Sequence, residues 1–338
     1  SAGKVPAKEI GERPVTLLYD PTKQTGVAPQ ANARTAPSLN DPADYLPDPG
    51  LVDAVNVALT LGQPLLVTGE AGAGKTQLAF SVAWSLKLDE PLKFDVKSTS
   101  TARDLFYSFD TLGRLHAVHM DSKLPATEFF HLNALGLAIV LSQPPPRYAE
   151  LRASEYRQVP ARASVVLIDE IDKAPRDFPN DLLNEIENLY FRVPELGNTK
   201  VEANPALPPV VILTSNSERD LPAPFLRRCI YYNIPSPDGE RLRQIVATRI
   251  GTTLRRVPPF LVDALAFYDL LRAPSSGLQK PPSVAELLKW VTVLATAGDG
   301  DPFAGEGTAM AQRTMSALTK TQEDQRLVGE LLRKWRPR

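Results

Sequence analysis

Gly69-Glu70-Ala71-Gly72-Ala73-Gly74-Lys75-Thr76 fits G-x-x-x-x-G-K-[ST]. Before it runs the apolar stretch Leu65-Leu66-Val67-Thr68, and after it Leu78-Ala79, Val82-Ala83 and Leu86 recur at helical spacing. The stretch is therefore predicted to join a buried strand to an amphipathic helix, the context in which this motif cradles phosphates. Glycines allow the backbone to fold with its N–H groups aimed inward at the phosphates. Lys75 supplies a point charge near the β- and γ-phosphates, and the Thr76 hydroxyl can ligate Mg²⁺. The expected nucleotide-binding set is Gly69, Glu70, Ala71, Gly72, Ala73, Gly74, Lys75 and Thr76, with the adjoining Gln77.

Farther along, Val165-Val166-Leu167-Ile168-Asp169-Glu170 reads as a buried strand that ends in two carboxylates. Open α/β sheets place their ligands at that C-terminal edge. Alternation turns the two side chains in different directions. Asp169 is thus assigned to Mg²⁺ through its waters, and Glu170 to orienting and deprotonating an attacking water. The plain alternative for the pair is an acidic helix start. Thr214-Ser215-Asn216 ends the next apolar run, Val210 to Leu213. An uncharged Asn216 amide there can hold the attacking water without adding negative charge, although Asn also ends strands as an ordinary turn residue.

Short, continuously apolar strands alternating with helices indicate an α/β fold: a parallel sheet core with helices on both faces. Leu92 to Val96 is a further strand candidate, and Leu51-Val52, Val55 and Ala58-Leu59 mark a helix ahead of Gln63-Pro64. At 338 residues, 43% of them hydrophobic, the chain has room for a large α/β domain and a smaller second one. Its 32 prolines are unusual, and residues 1–40 read as an extended Pro-rich arm. The α/β core is expected over 41–236 and an all-α lid domain with a C-terminal tail over 237–338. There the helix patterns are Arg241 to Ile250, Phe260 to Leu271 and Val284 to Ala295, the last opened by a Ser283/Glu286 capping box. A further amphipathic helix, Gln325 to Trp335, runs into a basic tail that reads as a solvated helix end.

Lys+Arg at 38 against Asp+Glu at 39 leave a net charge of −1, so nothing global points to nucleic acid or anionic lipid. Cys229 is the one cysteine and His116, His119 and His131 are the three histidines, which excludes a disulfide framework and disfavours a zinc site. A reducing, cytoplasmic setting is the expectation. The most apolar stretch, Leu132 to Leu141, falls short of the roughly 20 residues a membrane helix needs, so no membrane insertion is expected. The chain opens Ser1-Ala2-Gly3 without Met, as a trimmed terminus would.

Taken in order, Gly69 to Thr76, Leu167-Ile168-Asp169-Glu170-Ile171-Asp172-Lys173-Ala174, Thr214-Ser215-Asn216-Ser217-Glu218-Arg219 and Phe225-Leu226-Arg227-Arg228-Cys229 resemble AAA+ ATPases, and in detail the MoxR group. Thr101 to Tyr107 and Asp177 to Glu185 are similar to stretches of that group. The resemblance covers residues 40–295 and implies a P-loop NTPase core with a helical lid. It also implies a homo-oligomeric ring, usually a hexamer, with ATP held between subunits and hydrolysed with Mg²⁺. In such a ring Arg228 is the implied arginine finger on the neighbour's γ-phosphate, with Arg227 in reserve. One departure concerns the lid. Relatives carry an arginine where this chain has Ala285, leaving Lys280 and Lys289 as candidate substitutes.

Phe106 to Leu115, and a hairpin of Phe191-Arg192-Val193 with Thr199 to Glu202 around Gly197-Asn198, resemble family insertions. In such ATPases these can face a central pore, although core packing is the commoner fate of Phe106 and Tyr107. The function implied is ATP-driven remodelling or chaperone-like action on a protein client, with a von Willebrand factor A domain protein as an associated partner. Alternatives are a nucleic-acid motor and a nucleotide-gated switch in a defence or signalling assembly.

Overall fold

The computed structural model describes residues 41–120, 124–216, 221–250, 258–295, 302–303 and 309–335. The predicted arm of residues 1–40 lies outside them, as do Ser217, Glu218, Arg219 and the last residues of the basic tail, Arg336, Pro337 and Arg338. Packing divides the chain into one compact unit of Tyr45–Ser236 and another that holds the residues from Pro237 onward.

Among the described residues of the first unit are nine strands: β1 (Leu65–Gly69), β2 (Leu92–Asp95), β3 (Tyr107–Phe109), β4 (Phe130–Leu132), β5 (Val165–Asp169), β6 (Tyr190–Val193), β7 (Thr199–Glu202), β8 (Val210–Thr214) and β9 (Ile230–Ile234). Five of them form a parallel sheet in the order β2-β5-β8-β1-β9. The central strands are apolar on both faces because both faces are covered. Leu65, Val67, Val165, Leu167 and Ile212 point to one face. There they meet α1 (Pro49–Leu61) and α2 (Lys75–Ser85) through Leu51, Leu78, Ala79 and Val82. Leu66, Val166, Ile168, Val211 and Leu213 point the other way, into a cluster with Leu135, Ile139, Phe178 and Phe191. The period-2 alternation of strand side chains sorts the residues of each strand between these two cores.

Local chemistry sets the ends of the helices. At α1 the Asp48 carboxylate accepts the Leu51 N–H at 3.1 Å, Pro49 takes the first position, and Gly62 at φ 64° ends the helix. The predicted hairpin is present: β6 pairs antiparallel with β7, turning through Gly197 and Asn198 at φ 69° and 58°. A second hairpin pairs β3 with β4. Between them Phe106 stacks on Phe191 (5.2 Å between centroids) and Tyr107 on Phe130 (4.9 Å). Phe106 and Tyr107 are therefore core residues, not side chains offered to a partner. Exposed instead are Leu112 and Leu115 of that insertion and, just past it, Val118, all on α3 (Thr111–His119).

From Pro237 on, the described residues contain no strand. The helices are α4 (Gly239–Arg249), α5 (Pro259–Arg272), α6 (Val284–Ala295), α7 (Ala309–Thr314) and α8 (Gln322–Lys334). Trp290 is fully buried among Phe267, Phe303 and Leu294, and its indole N–H donates to the Thr314 hydroxyl at 3.0 Å. At the start of α6 the Glu286 carboxylate accepts the Ser283 N–H at 2.7 Å, the reach-back half of the predicted box. Among the described residues no helix is long and apolar enough to cross a membrane.

Candidate nucleotide site

Three neighbouring strands of the sheet, β1, β8 and β5, end on one edge, and their register brings their C-terminal residues together. Val67 pairs with Thr214, and Ile168 with Leu213. The loop after β1 delivers Lys75 and Thr76 to that edge, β5 delivers Asp169 and Glu170, and β8 delivers Thr214 and Asn216.

Gly69 and Gly74 shape the loop. Gly74 sits at φ 87°, where an L side chain is strained, and a Cβ added there would lie 3.1 Å from the Tyr45 ring. At Gly69, φ 145°, a Cβ would come within 2.9 Å of the Ile234 carbonyl. Gly74 leads directly into α2, so the loop backbone opens onto a helix N-terminus, the arrangement that favours an anion. Glu70 turns away to accept from the Ser236 hydroxyl at 3.0 Å.

Lys75 is buried, and its ammonium donates to the Gly69 and Glu70 carbonyls at 2.8 and 2.9 Å and to Asn216 Oδ1 at 3.0 Å. Burial pushes its pKa down, while the nearby carboxylates of Asp172, Asp169 and Glu170 pull it back up. The Asn216 N–H in turn donates to Asp172 Oδ1 at 3.3 Å. Thr76 Oγ1 donates to Asp169 at 3.1 and 3.3 Å from its two carboxylate oxygens. Asp169 also accepts from the Thr214 hydroxyl at 2.6 Å and from Lys93 on β2 at 3.0 Å. Burial pushes the Asp169 carboxyl up, but the hydrogen bonds from Thr214, Lys93 and Thr76 outweigh it and hold the pKa below the usual value. A hydroxyl and a carboxylate this close are hard oxygen donors that suit Mg²⁺, so the pair fits the ion.

Glu170 occupies the left-handed region at φ 59°, rare for a non-glycine residue, and its N–H donates to the Thr214 hydroxyl at 2.9 Å. Its carboxylate pairs with Lys173. Gln77 follows Thr76 on the first turn of α2.

Arg227 and Arg228 take no part in the contacts around Lys75 and Asp169. Both are exposed just beyond a short helix, Ala223–Leu226. Arg228 donates through Nε to Glu187 at 2.9 Å and through a terminal nitrogen to the Pro224 carbonyl at 3.2 Å. Cys229 sits next to it on the wall of a small cavity with Ile186 and Phe225. In the second unit Lys280 and Lys289 are exposed and Ala285 lies on the first turn of α6. Among the described residues no group of three or more His, Cys, Asp and Glu side chains could hold a metal ion.

Sequence reasoning found the motif residues and missed Lys93, Thr214 as a ligand of Asp169, and the Lys173 partner of Glu170. No motif marks Lys93. Thr214 was visible only as the polar end of an apolar run.

A known family matches the stretch that builds this site. Residues 64–229 match the AAA domain of the dynein-related subfamily. The AAA segment starts one residue before β1 and ends one residue before β9, so it contains the phosphate loop, Asp169, Glu170, Asn216 and both arginines. Its fold is that of AAA+ P-loop NTPases. No curated protein matches the chain. Among solved structures it is similar to a RuvB mutant from Thermotoga maritima, at 17% identity and a TM-score of 0.42, over 81% of this chain and 69% of that one. A second Thermotoga maritima RuvB variant gives 17% and 0.41 over 82% and 69%. The Saccharomyces cerevisiae Hsp104–ADP complex gives 17% and 0.40 over 65% of this chain; the match spans only 38% of Hsp104.

Proposed function

We propose that this chain is a MoxR-like AAA+ ATPase that binds ATP with Mg²⁺ at Gly69–Gln77 and Asp169 and hydrolyses it as a subunit of a homo-oligomeric ring, a hexamer. The observation that carries this reading is the convergence of Lys75, Thr76, Asp169 and Asn216 at one sheet edge, where Lys75 hydrogen-bonds Asn216 and the adjoining Thr76 hydrogen-bonds Asp169.

In this reading the loop N–H groups and Lys75 take the β- and γ-phosphates, and Lys75 exchanges its carbonyl partners for phosphate oxygens. Thr76 and Asp169 hold Mg²⁺, which neutralises charge on the β- and γ-phosphates when bound. Asn216, freed from Lys75, orients a water. Glu170 leaves Lys173 and takes the water's proton as the water oxygen bonds to the γ-phosphorus and the bond to the bridging oxygen of ADP breaks. Arg228 leaves Glu187 and reaches the γ-phosphate held by a neighbouring subunit. ATP turnover in the ring then drives remodelling of a protein client in the cytoplasm. A von Willebrand factor A domain protein is the partner the MoxR resemblance implies.

Steady-state hydrolysis and equilibrium ATP binding in Glu170→Gln test the assignment. Binding is expected to persist while turnover drops roughly 10²- to 10⁴-fold, the usual contribution of a general base. Unchanged turnover would remove Glu170 from the chemistry.

A further inference from the structure

Asp169 is shared. Its Oδ1 takes the Thr214 hydroxyl at 2.6 Å, and the Thr76 hydroxyl reaches Oδ1 at 3.1 Å and Oδ2 at 3.3 Å. The remaining partner of Oδ2 is the Lys93 ammonium at 3.0 Å. Lys93 comes from β2, where the register pairs Lys93 with Leu167 and Asp95 with Asp169. Residues two apart share a face of a strand, so Lys93 and Asp95 lie on the same side, and the ammonium also contacts Asp95 Oδ1 at 2.7 Å. The cation is thus suspended between two carboxylates. One is buried beside the phosphate loop; the other is two-thirds exposed.

We infer that Lys93 is a positioning residue that sets how much Mg²⁺ the site requires. The inference rests on the nucleotide-site reading above. An Mg²⁺ ion approaching Asp169 beside Thr76 meets a fixed positive charge on one oxygen of its carboxylate, and like charges that close repel. Lys93 holds the carboxylate in place while the ion is absent and opposes the ion when it arrives. Asp95 provides the retreat: the ammonium can shift toward it as the ion takes Asp169. The two residues therefore act in opposite directions. Removing Lys93 relieves the repulsion, and removing the Asp95 charge confines Lys93 to Asp169.

The test is the Mg²⁺ dependence of binding of a fluorescent, non-hydrolysable ATP analogue, measured at equilibrium in the full chain for wild type, Lys93→Gln, Lys93→Arg and Asp95→Asn. The magnesium concentration for half-maximal binding should fall about a hundredfold in Lys93→Gln, the effect of a unit charge on a divalent ion roughly 6 Å away at an effective dielectric of about 40. It should rise in Asp95→Asn and stay near wild type in Lys93→Arg. Affinity in EDTA is measured for all four proteins and the magnesium requirement is read relative to it, which separates an effect on the ion from damage to the loop. If Lys93→Gln leaves the magnesium requirement unchanged or raises it, the inference is overturned while the nucleotide site stands. If wild type binds no analogue at any magnesium concentration, the nucleotide-site reading itself fails.

Discussion

The Lys75 ammonium donates close to home, to two carbonyls of its own loop and to Asn216. The same side chain thus shapes the loop and would grip the phosphates, and its loss should be felt twice. Lys75→Ala is expected to weaken ATP binding roughly 100-fold or more, as the loss of charge-assisted hydrogen bonds implies; nucleotide titration by calorimetry checks it, and undiminished affinity would refute the assignment. Lys75, Thr76, Asp169 and Glu170 were legible in the sequence because phosphate and metal chemistry admits few residue types at those spacings. Lys93 was not. It is one of 38 basic residues, on a strand with no motif, and its partner becomes visible only when β2 is laid beside β5. The backbone of Glu170 was equally hidden: nothing in Ile168-Asp169-Glu170-Ile171 announces a residue at φ 59°.

Elements were legible where burial alone dictates them. β1, β5 and β8 are continuous apolar runs because each has a neighbour on either side and helices or hairpins on both faces. β9 was not read. It is an edge strand with alternating burial, and its polar residues dilute the apolar signal. The three-residue strands β3 and β4 are likewise too short to carry a pattern. Their place is fixed by packing, above all where the helix Ala134–Leu141 crosses the chain leading into β3. A Cβ on Gly136 of that helix would fall 1.9 Å from the Phe106 carbonyl oxygen, so backbone would have to move. Gly136→Ala gains about 1 kcal/mol of helix propensity, yet overpacking against a backbone oxygen costs about 1–3 kcal/mol. The expected outcome is a lower urea midpoint with an unchanged slope. A midpoint at or above wild type would mean that the helix and the hairpin are not locked together there.

For the whole molecule, the exposed pair of arginines is the feature that the proposed ring would draw on. Arg228 lies outside the contacts around Lys75, as a residue acting on a neighbouring subunit would. In the proposed ring, Arg228→Ala subunits should still bind ATP, whereas a ring made only of them should lose about 10³-fold or more in hydrolysis. Lys75→Ala subunits lack the phosphate grip but keep Arg228. Mixing the two inactive proteins should restore turnover at interfaces of one orientation. If mixed rings form and stay inactive, Arg228 is confined to its pair with Glu187. The residue after it bears on how such mixtures can be followed. Cys229 is the chain's one thiol, and burial pushes its pKa up to about 12. The thiolate is the nucleophile, so at neutral pH Cys229 is expected to react more slowly with maleimides than an ordinary exposed cysteine. A cysteine introduced at an exposed position is then the faster-reacting one, so that brief labelling puts a dye on one class of subunit ahead of the other.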